Sequence, residues 1–162
     1  MQMSLIRRGM RAAVAGAAVL MGSMAGAQSA TPIPHAHIYP EIQAAQPDIQ
    51  AALAKAKREH KRVILDFGGD WCGDCQVLNI YFHQSPNAEL LDKHFVLVEV
   101  NVGHMDQNLE IAHKYGVPVQ GVPALAVLSP DGKVVYSQNK EFSDMRHMDP
   151  QSVTEFLNKW KQ

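Results

Sequence analysis

Cysteine is scarce. The 162-residue chain has two, too few for a disulfide-scaffolded miniprotein or a four-cysteine zinc site. An excess of either charge is also missing. The chain carries 15 basic and 16 acidic side chains, for a net charge of −1, so no global field draws it to nucleic acid. There is no uninterrupted apolar run of the roughly 20 residues that cross a bilayer. Charged residues make up 19% and hydrophobic ones 46%, which excludes a disordered polar chain and fits one globular domain. No internal repeat and no second domain can be read. Histidine, with eight, is more frequent than a domain this small needs.

The opening residues read as a targeting segment. Arg7, Arg8 and Arg11 precede the small apolar run Ala12 to Met21, and Ala25-Gly26-Ala27 offers a signal-peptidase site. This is the three-part pattern of a secretory signal peptide over residues 1–27. Its removal leaves a mildly acidic, soluble chain, exported to the periplasm or beyond. Residues 28–47, with Pro32, Pro34 and Pro40, read as a flexible or extended lead-in because proline opposes helix. The folded domain is expected over residues 48–162.

Within that domain helices alternate with strands. Pro47-Asp48 opens a helix carrying Ile49, Ala52, Leu53 and Ala56 at helical spacing. Val63 to Phe67 is a buried strand, and Cys72 to Phe82 a helix with Val77, Leu78, Tyr81 and Phe82 on its apolar face. Ser85-Pro86 is a cap and first-turn pair for a short helix with Leu90 and Leu91. Phe95 to Val100 is a strand. Met105 to Tyr115 is a helix ended by Gly116. Ala124 to Leu128 and Lys133 to Ser137 flank the turn Asp131-Gly132, and Asp149-Pro150 opens a last helix. Strands separated by helices are expected to pair in parallel, with the final hairpin antiparallel.

The chemistry gathers at Asp70-Trp71-Cys72-Gly73-Asp74-Cys75. A helix N-terminus favours an anion, so a thiolate at Cys72 is stabilised there. Cys75, one turn on, can attack a mixed disulfide formed at Cys72, which suits thiol–disulfide exchange. A C-x-x-C pair between an apolar strand and a helix is a strong redox signal.

The run Leu65 to Cys75 resembles the strand, tryptophan and active-site segment of the thioredoxin superfamily. Gly121-Val122-Pro123-Ala124-Leu125 resembles its cis-proline segment, and Asp131-Gly132-Lys133-Val134 its hairpin. Residues 82–102 are most similar to exported thioredoxin-like proteins and to the carboxy-terminal domain of the electron transporter DsbD. The resemblance implies a three-layer α/β thioredoxin-like fold, a central mixed sheet of about four strands flanked by helices. The implied strand order is 95–101, 62–67, 124–128, 133–138. It also implies Cys72 as nucleophile, Cys75 as resolver and Asp66 as the buried acid beneath Cys75. Trp71, Val122 and Pro123 would contact substrate.

Departures from the family pattern bear on tuning. Asp74 replaces the proline usual in thioredoxin, and its exposed charge is expected to oppose the thiolate. Glu99 stands where thioredoxin has a lysine, so Asp66 and Glu99 form a carboxyl pair if both face inward. Pro118-Val119-Gln120 lengthens the loop before Pro123.

The reading is an exported thiol–disulfide oxidoreductase acting on protein thiols and disulfides. A reductase direction is favoured over an oxidase. The redox-active Cys72–Cys75 pair would serve in place of any cofactor. The electron donor is unidentified, a membrane thiol transporter being one candidate, and no nucleic-acid partner is expected. A structural disulfide and a non-catalytic interaction domain are alternatives. So is a copper chaperone using His35, His37, His104, His147 and neighbouring methionines, although their dispersal places them around no one metal. The run Lys55, Lys57, Arg58, Lys61 and Arg62 reads as a helix C-terminal charge and solvated face.

Overall fold

A computed structural model describes residues His35–Gln162. The expected signal peptide and residues 28–34 of the lead-in lie outside the described residues. The sheet is built around β1 (Arg62–Gly68), whose side chains are buried from Val63 onward. Val63, Leu65 and Phe67 face one layer and Ile64 faces the other, because alternate strand residues point to opposite faces. β2 (Phe95–Asn101) lies on one side of β1 and β3 (Ala124–Leu128) on the other, with β4 (Val134–Gln138) beyond, in the order β2-β1-β3-β4. The mixed sheet and strand order are those expected.

One pairing differs. β1 and β2 are parallel, but β1 and β3 run antiparallel, with Asp66 opposite Leu125. The intervening helix α4 covers only Leu109–Lys114, about 9 Å at 1.5 Å per residue. That is less than half the length of seven-residue β2. β3 enters the sheet from the end at which β2 leaves it, with Ala124 opposite Phe67 and Asn101 opposite Gly68.

α4 is also shorter than the expected span from Met105 to Tyr115. Gly103, Met105 and Asn108 have φ of 57°, 66° and 53°, left-handed values that no helix passes through. Asn108 makes use of its conformation. Its Nδ2 donates to the carbonyls of Ile42 and Asn101, each at 2.8 Å, and so ties the start of the described chain to the end of β2.

Helix α1 (Ala45–Glu59) and α4 cover one face, packing Ile49, Ala52, Ala56, Ile111 and Ala112 on the sheet. α2 (Gly73–Phe82), α3 (Asn87–His94) and α5 (Gln151–Trp160) cover the other with Leu78, Phe82, Leu91, Phe156 and Leu157. α1 begins at Ala45, two residues before Pro47. Proline fits this first turn because its missing N–H would have had no helical partner. Ser85 does not cap α3. Pro86 holds the N-cap position, and the Ser85 hydroxyl donates instead to Glu89 at 2.9 Å. In the basic run, Lys61 pairs with Glu59 at 2.8 Å, and Arg62 donates to the Trp160 carbonyl at the end of α5. Among the described residues no helix is long and apolar enough to cross a membrane.

Replacing Asn108 by glycine keeps the left-handed backbone accessible but removes both side-chain hydrogen bonds. The variant should lose about 1–3 kcal/mol of stability, the usual range for leaving buried polar groups unpaired. Urea unfolding measures this, and an unchanged midpoint would remove Asn108 from the account of how the chain start is held.

Candidate active site

β1 ends at Gly68, and a short loop brings Cys72 to the N-cap position of α2. Cys72 and Cys75 are joined as a disulfide. The Cys75 N–H donates to Cys72 Sγ at 3.1 Å, so the first turn of α2 already directs a donor at the sulfur that would carry charge when reduced. Cys75 is fully buried, while Cys72 retains 5% exposure. The sulfur nearer solvent is thus the one at the helix end.

Asp66 is 1% exposed in the middle of β1 and is linked to the cysteine cluster through Tyr39. One carboxyl oxygen, Oδ2, accepts a hydrogen bond from the Tyr39 hydroxyl at 2.9 Å. The other, Oδ1, is buried without a partner among the described residues. Burial pushes the Asp66 pKa up to about 8; the Tyr39 hydrogen bond opposes this and the charge of Glu99 adds to it. Glu99 is the register partner of Asp66 across β1 and β2. Burial raises its pKa as well, with its own backbone N–H and His83 opposing and Asp48 reinforcing the shift. The two carboxyls expected to interact therefore both hold their protons above the usual carboxylate range.

Tyr39 arrives from a segment the sequence reading treats as a loose lead-in. Residues 36–40 instead form a strap fastened across the site. The Ile38 and Tyr39 N–H groups both donate to Asp70 Oδ1, at 2.8 and 2.9 Å, and His37 Nδ1 lies 2.6 Å from Asp70 Oδ2. Gln76 on α2 exchanges hydrogen bonds with the Ala36 backbone, accepting from its N–H and donating to its carbonyl, each at 2.9 Å. Partial burial pulls the Asp70 pKa up. The strap's N–H groups and His37 outweigh that and hold it below the ordinary range. Gly68 makes room for the strap. A Cβ there would strike the Tyr39 hydroxyl and come within 2.9 Å of Cys75 Sγ.

The remaining expected residues ring the disulfide. The Val122 carbonyl oxygen lies 3.7 Å from Cys72 Sγ, and the Val122–Pro123 peptide is cis, with Pro123 buried at the start of β3. Trp71 is 42% exposed beside them. Its indole N–H donates to the Gly103 carbonyl at 2.6 Å, and its ring stacks on His104 with centroids 5.1 Å apart.

A family model described as thioredoxin-like matches residues 43–130. The chain belongs to the thioredoxin-like family. Among its relatives is thioredoxin of Streptomyces clavuligerus, 33% identical over 82 residues, covering 51% of this chain and 68% of that one. It is also similar to the thiol:disulfide interchange protein DsbD 2 of Pseudomonas aeruginosa, 30% identical over 135 residues. That match takes in 73% of this chain but 22% of the relative, so the chain spans about a fifth of that protein's length. A solved disulphide isomerase from Xylella fastidiosa Temecula1 superposes with a TM-score of 0.72 at 39% identity, covering 76% of this chain and 96% of that one. The architecture is thus the thioredoxin fold, and the family is that of disulfide oxidoreductases with the cysteine pair at Cys72 and Cys75.

Within this thioredoxin-like site Asp74 departs from expectation. It is buried, at 9% exposure. It accepts from the Arg146 backbone N–H and Nε, both at 3.1 Å, and from Nη2 at 3.3 Å. Arg146 sits in the 3₁₀ turn Met145–His147 before α5, and Asp74 raises its pKa. The charge between the cysteines is therefore countered by a bound guanidinium rather than screened by water. Arg146, 72 positions away, has no sequence signal at Asp74 to reveal it. Tyr39, Asp70 and Gln76 were equally hidden, although a lone aromatic in a proline-rich stretch and a glutamine near an apolar helix face were visible.

The histidines are dispersed. His35 and His37 contact Asp70, His104 covers Trp71, and His147 pairs with Asp144. Among the described residues no group of three or more His, Cys, Asp or Glu could hold a metal ion.

Two outcomes follow from the electrostatics. Between the usual carboxylate range and pH about 8, folded Asp66 keeps a proton that the unfolded chain has already released. The folded state binds more protons there, so stability falls as pH rises through that window. Urea unfolding of the oxidised protein at pH 5 and pH 8 should resolve the loss, and Asp66→Asn should flatten it; equal slopes in both proteins would contradict the burial of a titrating carboxyl. Arg146→Ala should leave Asp74 uncompensated and disfavour the Cys72 thiolate. Iodoacetamide should then alkylate reduced Cys72 more slowly at pH 7, and adding Asp74→Asn should restore the rate. Slowing that survives the double substitution would mean Arg146 acts by another route.

Proposed function

We propose that the protein is an exported thiol–disulfide oxidoreductase that reduces disulfides in protein substrates. The observation that carries the reading is the Cys72–Cys75 disulfide at the N-terminus of α2, beside the Val122 carbonyl and packed on Tyr39, whose hydroxyl binds buried Asp66. Cys72 is the nucleophile, being the cysteine at the helix end with residual exposure. Its thiolate attacks a substrate disulfide, forming one S–S bond and releasing the first substrate thiolate. Cys75 then gives its proton to Asp66 and attacks Cys72 Sγ. The Cys72–Cys75 bond forms, the mixed disulfide breaks, and the second substrate thiol leaves with the electron pair. The cysteine pair itself carries the two electrons, so no cofactor enters the scheme.

Val122, Pro123 and Trp71 form the surface on which an extended substrate segment rests. The Val122 carbonyl beside Cys72 supports this, as does the exposed indole that the stack on His104 keeps in place. The reductase direction is supported by similarity to thioredoxin and to DsbD proteins. The same similarity supports a membrane thiol transporter as electron donor. Export is supported by the signal-like opening of the sequence.

Cys75→Ser should accumulate mixed disulfides with protein partners, and alkylation of the reduced wild type near neutral pH should label Cys72 first. Asp66→Asn should slow resolution of a mixed disulfide more than the initial attack, as stopped-flow mixing can separate. The pair's potential against glutathione sets direction. A value near thioredoxin's ~−270 mV supports reduction, and one near the ~−120 mV of strong oxidants would reverse the assignment.

A further inference from the structure

The strap places one side chain where the exchange chemistry runs, and it lies ahead of the matched span 43–130. Tyr39 is 1% exposed and forms a small buried cluster with Cys72 and Cys75. Its hydroxyl donates to Asp66 Oδ2 at 2.9 Å, and Asp66 Oδ1 is left buried without a partner among the described residues. Five hydrogen bonds from Asp70 and Gln76 hold residues 36–39 in place. The ring is therefore fixed by backbone anchoring as well as packing.

We propose that Tyr39 is a positioning residue for disulfide exchange: its hydroxyl holds Asp66 through Oδ2 so that Oδ1 is the oxygen that takes the Cys75 proton. The proposal rests on the reading of Asp66 as proton acceptor. In the resolving step the Cys75 S–H bond breaks and its proton passes to Oδ1. The thiolate's electron pair forms the bond to Cys72 Sγ, and the bond from Cys72 to the substrate sulfur breaks with its pair. The departing substrate thiolate is protonated from solvent. Two electrons leave the cysteine pair and two reach the substrate.

The titratable groups that act on Asp66 are Tyr39 from the strap and Glu99 from β2; its β3 register partner, Leu125, is apolar. Asp48 of α1 acts on Glu99. Of these, Tyr39 is the one that donates a hydrogen bond to the carboxylate, and such a bond favours the charged form. Without the hydroxyl, less carboxylate is present at neutral pH.

The test is stopped-flow resolution of a Cys72 mixed disulfide in the full chain, followed across pH. Tyr39→Phe should slow resolution at pH 7 by roughly tenfold, the scale of one charge-assisted hydrogen bond. It should move the midpoint of the pH profile upward and leave attack by Cys72 unchanged. Site-specific 3-fluorotyrosine at position 39, a more acidic donor of nearly the same size, should move the midpoint downward and serves as the folded control if Tyr39→Phe is unstable. A merely structural tyrosine would alter the melting temperature without shifting either midpoint, and that result would overturn the proposal. Equal slowing of attack and resolution would overturn it too. Asp66→Asn run alongside separates the two claims. Unchanged resolution in that variant removes Asp66 as acceptor and Tyr39 with it. A slowed Asp66→Asn beside an unshifted Tyr39→Phe profile removes Tyr39 alone.

Discussion

The carboxyl of Asp66 is buried away from bulk solvent, and much of the site is arranged around that fact. An ionised carboxylate in such a place is costly unless it is hydrogen-bonded. Among the described residues one donor, the Tyr39 hydroxyl, reaches it, and one oxygen is left unsatisfied. Partial satisfaction keeps the group near its titration point at neutral pH. A fully bonded carboxylate would stay charged and an unbonded one would stay protonated. Neither could pass a proton in both directions.

Bringing a tyrosine to that depth has structural requirements. Gly68 must lack a side chain, since a Cβ would occupy the space of the phenol. The strap must also be held in place, which the Asp70 carboxylate and the Gln76 amide do. A buried polar group thus recruits a glycine, an acid and an amide from three places in the chain. The second charge near the cysteines is handled differently, with Asp74 neutralised by Arg146 at the surface of α2. Two acids close to one disulfide therefore have opposite environments, one starved of partners and one fully paired.

Helix sequence and the identity of the cysteine site were legible in the sequence, because each is written in local pattern: an apolar run at Val63–Phe67, helical spacing at Val77, Leu78 and Phe82, and a C-x-x-C between them; strand order came from the family resemblance. The direction of β3 was not legible, since the connection from β2 is long enough to return to either end of the sheet and its irregular stretch at Gly103, Met105 and Asn108 carries no periodic pattern. Asp66 and Glu99 could be found by resemblance because both lie in regular strands. Tyr39 and Arg146 could not. Each makes its decisive contact across a long sequence separation from an irregular segment, where periodicity carries no information.

The Asp74–Arg146 pair and the Tyr39 strap both lie across the edges of the span that defines the family, residues 43–130. One reaches in from before it and the other from after it. The matched region is therefore not a portable unit. Grafted into another chain, it would bring the cysteines, the buried acid and the cis-proline peptide, but it would leave behind the donor to Asp66 and the counter-charge to Asp74. Relatives sharing this span can differ in redox behaviour through residues that alignment of the span never compares.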